Sequence, residues 1–88
     1  MRDAYREEAD AIARKHNLAR PLHEEIKFRG YKVEQFQQGD YDPPYDQGVH
    51  ILDRNGNELS TKISNDVARA AIYAMDDILT REKEGRSN

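Results

Sequence analysis

The chain has 88 residues, with 14 basic and 17 acidic side chains and a formal net charge of −3. At this length we expect one small domain, and its acidity disfavours the basic surface typical of proteins that track phosphates. The absence of cysteine excludes disulfides, thiolate metal sites and thiol catalysis, and it is ordinary for a reducing compartment. Charged first residues and the lack of a long apolar run predict a cytoplasmic protein.

An amphipathic helix is predicted from Asp3 to about Lys15. Its apolar stripe recurs at helical spacing but has only two large members; it consists of Tyr5, Ala9, Ile12, Ala13 and His16. Asn17 suits a left-handed helix stop, with Leu18 folding back behind it. Because the stripe is thin, we expect this helix to depend on tertiary contacts or on a partner.

Two interpretations of segment 20–26 remain open. It forms either a second short helix that begins at Pro21, where the missing N–H of proline is tolerated, or the start of a strand at Glu25.

The residues after Gly30 alternate in the manner of a strand, which we place at about 31–37. Phe36 is out of phase with Tyr31 and Val33. That mismatch predicts either a bulge or a second apolar face.

Residues 39–48 are predicted to form a loop, because glycines bound them and two adjacent prolines cannot donate to a sheet. The loop is longer than a hairpin in so small a domain needs. Its tyrosines would add contact area at low entropic cost, so the candidate partner-binding residues are Asp40, Tyr41, Asp42, Tyr45 and Asp46. The equal alternative is that these side chains only solvate the loop. Their spacing does not match a calcium-binding loop.

The segment that follows this loop predicts a β-hairpin, for which two registers are compatible with the turn. A two-residue loop at 55–56 would place Leu52 opposite Leu59 and divide the apolar side chains between two faces. A three-residue loop at 54–56 would place Ile51 opposite Leu59 instead.

We prefer the three-residue loop, because it gathers the apolar side chains on one face. Val49 would then lie opposite Thr61, and Ile63 would follow on the same face. The same loop places Asp53 first in a type I turn. Gly56 falls at the left-handed position that forms a bulge, where glycine has no steric penalty.

The longest predicted helix runs from about Asn65 to Glu82, with Ser64 or Asn65 as its cap. Its apolar stripe has helical spacing, and its alanines permit close approach to a sheet; it consists of Val67, Ala68, Ala70, Ala71, Ile72, Ala74, Met75, Ile78 and Leu79. We assign residues 1–82 to a single domain and 83–88 to a frayed polar tail.

The predicted fold class is α+β: a helix, a three-stranded antiparallel sheet and a helix (α-β-β-β-α), with the helices packed on one face of the sheet. This topology resembles that of a double-stranded-RNA-binding domain. In that family a Lys-Lys pair at the start of the second helix contacts phosphate. The corresponding stretch here, 62–66, has one lysine and an aspartate.

No catalytic or metal-binding pattern is found in the sequence. The histidines, at 16, 23 and 50, lack the spacing of a helical or hairpin metal site. Adjacent acidic residues diverge by about 100° on a helix, which disfavours a carboxylate dyad. The serines have no base nearby in sequence. We therefore expect no enzymatic activity, no cofactor and no metal.

We expect a small acidic protein-binding module. In size, acidity and lack of cysteine, the whole chain is similar to inhibitors encoded by phages and mobile elements, including anti-CRISPR proteins. That resemblance implies inhibition of a nucleic-acid-handling complex by carboxylates placed where phosphates would sit. The alternatives are nucleic-acid binding and an accessory subunit that oligomerises, for example as a homodimer. We expect no membrane association. A second candidate surface is the sheet face away from the helices, with Lys32, Glu34, His50, Leu52 and Lys62.

Overall fold

The computed structural model describes residues 2–37 and 47–85, with side chains from Tyr5 onwards. The elements are α1 (Arg2–Lys15), α2 (Leu22–Phe28), β1 (Lys32–Gln37), β2 (Gln47–Leu52), β3 (Glu58–Ile63) and α3 (Val67–Gly85). The strands form an antiparallel sheet in the order β1-β2-β3. The predicted α+β class and the order α-β-β-β-α are confirmed, with α2 as an additional short helix.

The connection between α1 and α2 follows the helical interpretation of the sequence. Asn17 has a φ of 57°, and the N–H of Leu18 donates to the carbonyl of Ala13 at 2.9 Å. Pro21 is the N-cap residue of α2. Glu25 lies inside that helix, so the alternative of a strand beginning there is wrong.

The start of α3 is capped by Asp66. Its Oδ1 accepts a hydrogen bond from the main-chain N–H of Arg69 at 3.1 Å, and a carboxylate suits the positive end of the helix dipole. The predicted cap at Ser64 or Asn65 is wrong, since Ser64 Oγ accepts from the N–H of Asp66 instead. The helix continues to Gly85, beyond its predicted end.

The core lies between α3 and one face of the sheet. α3 packs on β2 and β3, while α1 and α2 pack on α3. Burial of each large aliphatic side chain stabilises the fold by about 1.5–3 kcal/mol, and the largest fully buried side chains are Leu22, Ile26, Val49, Ile51, Ile72 and Met75. Ala9 and Ile12 of the thin α1 stripe are also buried, as predicted.

The turn between β2 and β3 has the predicted form. The N–H of Gly56 donates to the carbonyl of Asp53 at 3.1 Å, and the N–H of Asp53 donates to the carbonyl of Asn57 at 2.9 Å. Gly56 has a φ of 85°, in the left-handed region that glycine favours.

The predicted strand register beyond this turn is wrong. Leu52 pairs with Glu58, as a three-residue loop requires, but Ile51 pairs with Ser60 rather than with Leu59. Val49 likewise pairs with Lys62 and not with Thr61, so the register shifts by one residue between Ile51 and Leu52. Leu59 is therefore the extra residue of a β-bulge.

Contacts with α3 explain the bulge. Ser60 is buried, and its Oγ donates to Asp77 Oδ2 at 2.9 Å. Arg81 binds the same carboxylate at 3.2 Å and also donates to the carbonyl of Leu59. The shift has a second consequence: Ile63, predicted to face the helices, lies on the opposite sheet face and is 49% exposed.

Candidate functional site

The sheet face opposite the helices, which we call the outer face, is the main candidate surface. The register pairs Lys32 with Leu52, Glu34 with His50, and Phe36 with Gly48, without interruption along β1. β3 adds Thr61 and Ile63, so the outer face consists of Lys32, Glu34, Phe36, Gly48, His50, Leu52, Thr61 and Ile63. Four of the five residues predicted for this face lie there. Lys62 does not, because it pairs with Val49 on the side of the helices.

An aromatic and charged cluster occupies the middle of the outer face. The rings of Phe36 and His50 stack with centroids 5.3 Å apart and an interplanar angle of 29°. His50 Nε2 lies 3.1 Å from Glu34 Oε1, and Lys32 Nζ lies 3.0 Å from Glu34 Oε2. Hydrogen bonds from Lys32 and then from His50 hold the pKa of Glu34 below its ordinary value. Of the two alternatives predicted from Phe36, β1 has no bulge, and the ring lies on a second face of the sheet with Ile63 and Leu52.

Gly48 allows this cluster to form. A Cβ atom at position 48 would lie 2.8 Å from Cζ of Phe36 and 2.4 Å from the carbonyl oxygen of Lys62. Our sequence interpretation treated Gly48 only as a loop boundary. The sequence signal for this role is a glycine inside a strand, because such a glycine often marks a place where another main-chain segment or a side chain approaches closely.

One end of the outer face is apolar across all three strands. Phe36, Gly48 and Ile63 lie side by side there, because Gly48 pairs with both of the others. The chain leaves β1 and enters β2 at this same end, through residues 38–46. The predicted binding residues Asp40, Tyr41, Asp42, Tyr45 and Asp46 belong to that segment and lie outside the described residues.

A His–Asp pair beside a cleft is the arrangement most similar to a catalytic site. His16 Nε2 lies 2.7 Å from Asp76 Oδ1, and Lys15 Nζ lies 2.9 Å from the same oxygen. Burial raises the pKa of Asp76, but hydrogen bonds from His16 and Lys15 lower it more. The adjoining cleft of about 410 Å³ is lined by His16, Asn17, Leu18, Arg29, Leu79, Glu82 and Lys83, with no hydroxyl or thiol nucleophile among them. The pair joins α1 to α3.

A second polar cluster joins α2 to the end of α3. Glu25 is only 8% exposed, and its Oε2 lies 2.6 Å from Arg29 Nε. Arg29 also binds Glu82, which accepts a hydrogen bond from the hydroxyl of Tyr31. The hydrogen bond from Arg29 holds the pKa of Glu25 below its ordinary value despite burial. These groups satisfy one another, which is the pattern of a structural network.

The beginning of α3 is the place where the resemblance in topology to double-stranded-RNA-binding domains would predict a contact with phosphate. Here Asp66 accepts from the N–H of Arg69 and from the hydroxyl of Tyr5, the latter at 2.9 Å. The hydrogen bond from the main chain of Arg69 is the main reason that the pKa of Asp66 is lowered. Arg69 Nε lies 3.4 Å from Glu8 Oε2. Two carboxylates therefore surround the helix end that a phosphate would approach.

Within residues 2–37 and 47–85, no three His, Cys, Asp or Glu side chains form a group able to hold a metal ion. None of the helices in the described ranges combines the length and the apolar character needed to cross a membrane. Comparison of the chain with protein-family models, with curated proteins and with solved structures gave no significant match.

Proposed function

We propose that this protein is a small protein-binding module that contacts its partner through the outer face and the adjoining segment 40–46. One observation carries the proposal: no described helix covers the outer face, which presents the Phe36–His50 stack and the half-exposed Ile63. Interfaces typically combine aromatic and aliphatic anchors at their centre with a polar rim. Lys32 and Glu34 supply such a rim on β1.

We further propose that the partner is a nucleic-acid-handling complex in the cytoplasm, which the protein inhibits in the manner of anti-CRISPR proteins. The net charge of −3 supports this step, because an acidic protein is steered towards a basic nucleic-acid-binding surface. The three aspartates of segment 40–46 would then take positions that phosphates occupy in the uninhibited complex.

Binding through the outer face is tested with Ile63→Glu. This side chain is 49% exposed and outside the core, so the variant should fold normally while a charge disrupts the apolar end of the face. Phe28→Glu is the matched control, because Phe28 is a 63% exposed apolar residue on α2. Capture of protein from host lysate should be lost with Ile63→Glu and retained with Phe28→Glu. Equal capture by both variants would exclude the outer face.

Inhibition is tested separately, by measuring DNA cleavage by purified CRISPR effector complexes of several types with and without the protein. We expect one type of effector complex to be inhibited by the wild type and by Phe28→Glu but not by Ile63→Glu. If no effector complex is inhibited, the proposed anti-CRISPR function is wrong. The proposal of protein binding then depends on the capture experiment alone.

A further inference from the structure

The two edges of the sheet differ in their capacity to pair with another strand. At the β3 edge, the bulge at Leu59 interrupts the strand, and Arg81 donates a hydrogen bond to the carbonyl of Leu59. At the β1 edge, six consecutive residues pair with β2 without a shift. Bulges are one of the features by which proteins prevent an edge strand from pairing further. Only β3 has one.

The main-chain groups at the β1 edge can be assigned from the register. The N–H of Ser64 donates to the carbonyl of Gln47, so the peptide groups of Gln47 point towards β3. Successive residues of a strand point these groups to alternate sides, so those of His50 point towards β1 and bond its partner Glu34. The groups of Val33 and Gln35, on either side of Glu34, therefore point away from the sheet.

An apolar cleft lies beside this edge on the helix side of the sheet. Its volume is about 330 Å³, and its lining includes Ile26, Tyr31 and Val33. Val33 is 39% exposed, although its register partner Ile51 is fully buried. The difference arises because α3 packs mainly on β2 and β3. The edge of β1 therefore combines outward main-chain groups with apolar surface.

We propose that β1 pairs antiparallel with β1 of a second copy of this chain, centred on Val33, to form a continuous six-stranded sheet. In this pair, the N–H of each Val33 donates to the carbonyl of Val33 in the other copy. The N–H of each Gln35 bonds the carbonyl of Tyr31 of the other copy. The two Val33 side chains meet beside the apolar cleft and close it.

The charges on β1 favour a second copy of the chain as the strand that pairs with this edge. They also favour Val33 as the residue at the twofold axis of the pair. In a twofold-symmetric pair, residues on either side of the centre face each other, so Lys32 lies opposite Glu34 of the other copy, twice. A pair centred on Glu34 would place two like charges opposite each other, which destabilises strand pairing. The Val33 centre also uses the end of β1 away from segment 38–46. The proposal does not depend on the proposed function, since the outer face stays open in the dimer.

Association is measured by sedimentation equilibrium from about 10 to 500 μM, a range chosen because small interfaces are weak. We expect a dimer whose population rises with concentration. Val33→Pro removes an outward N–H that bonds no main-chain group in residues 2–37 and 47–85. Proline is tolerated at such a position in an edge strand, so the variant should abolish the dimer. A monomer at every concentration, or a dimer unaffected by Val33→Pro, would overturn the proposal.

A charge exchange tests the register even if the proline variant fails to fold. Lys32→Glu and Glu34→Lys should each weaken association by about tenfold, because each places like charges opposite each other. The double variant Lys32→Glu/Glu34→Lys should restore it. Arg14→Glu, an equal charge change at an exposed position of α1, should leave it unchanged. Failure of the double variant to recover would exclude the Val33 centre.

Amide hydrogen exchange adds a residue-level readout. The amides of Val33 and Gln35 should become protected as concentration rises, while that of Glu34, bonded to β2 in both states, should not change. Concentration-independent exchange at all three amides would contradict pairing at this edge.

Discussion

Phe36 lies directly opposite Gly48 in the antiparallel pair of β1 and β2, and a Cβ atom at position 48 would meet both its ring and the main chain of β3. The ring could move aside, but the carbonyl of Lys62, 2.4 Å from that Cβ, belongs to the sheet. Gly48→Ala should therefore lower the free energy of unfolding by about 1–3 kcal/mol. The measurement is urea denaturation followed by circular dichroism.

Gly85→Ala is the control for this effect. No atom lies within 4 Å of a Cβ placed at Gly85, so its unfolding free energy should stay within about 0.5 kcal/mol of the wild type. Equal stability of the two variants would mean that β2 and β3 separate easily at Gly48.

The turn glycine makes a different prediction, because no atom lies within 4 Å of a Cβ at Gly56 but its φ is 85°. Replacing Gly56 therefore lowers the free energy of unfolding through backbone strain and not through a steric clash. Gly56→Val should destabilise the fold by about 1–3 kcal/mol. Gly56→Asn should cost clearly less, since asparagine tolerates the left-handed region. Thermal and urea melts of both variants test this, and a valine variant that melts like the wild type would exclude the predicted turn.

The buried ion pair of Glu25 and Arg29 predicts a pH dependence. The pKa of Glu25 is lower in the folded chain than its ordinary value, so its stabilisation is fully present above the unfolded pKa of about 4.3 and is lost as pH falls through the folded value. Glu25→Gln should lower stability at pH 7 by about 1–2 kcal/mol. It should also reduce the loss of stability between about pH 5 and pH 3.

The exposed Glu24, next to Glu25 in the first turn of α2, supplies the control. Glu24→Gln should leave both the stability at pH 7 and its acid dependence close to those of the wild type. Parallel pH profiles for all three proteins would show that the Glu25–Arg29 pair does not stabilise the fold.

Local sequence patterns predicted the elements but not how β2 and β3 align. The turn at 53–56 depends on residues within four positions of one another, so it was predictable. The bulge at Leu59 depends on Asp77 and Arg81, which reach β3 from a helix far along the chain. Hydrophobic alternation favoured Ile63 on the buried face. It could not show that Ser60 would be buried there instead, with Asp77 as its partner.

In the candidate site, too, local sequence patterns did not reveal contacts between residues on different strands. Alternation along β1 and β2 placed four residues correctly on the outer face, but Lys62 was misplaced with the register. Ile63 was missed as a surface residue for the same reason. Gly48 was missed because its role is set by Phe36 on a neighbouring strand, a contact that spacing along the chain does not reveal.

Nucleic-acid binding gives a clear negative prediction. The N–H of Arg69 already donates to Asp66, and Glu8 lies near the same helix end. We therefore expect no binding of double-stranded RNA or DNA in electrophoretic mobility shifts at physiological ionic strength. A micromolar shift that weakens as salt increases would contradict this and would favour the alternative suggested by the topology.

Segment 40–46 is predicted to carry binding while contributing little to the fold. Among the described residues, the apolar core cluster comes from the helices and from β2, and the aspartates and tyrosines of the segment have no periodic relation to the apolar stripe of α3. Replacing Tyr41, Asp42, Tyr45 and Asp46 together with Ala or Ser should leave the melting temperature nearly unchanged and abolish partner capture, since a few anchors dominate interface energy. Capture and melting that both match the wild type would make the segment a passive connector. Binding would then rest on the outer face alone, where Ile63→Glu should still abolish it.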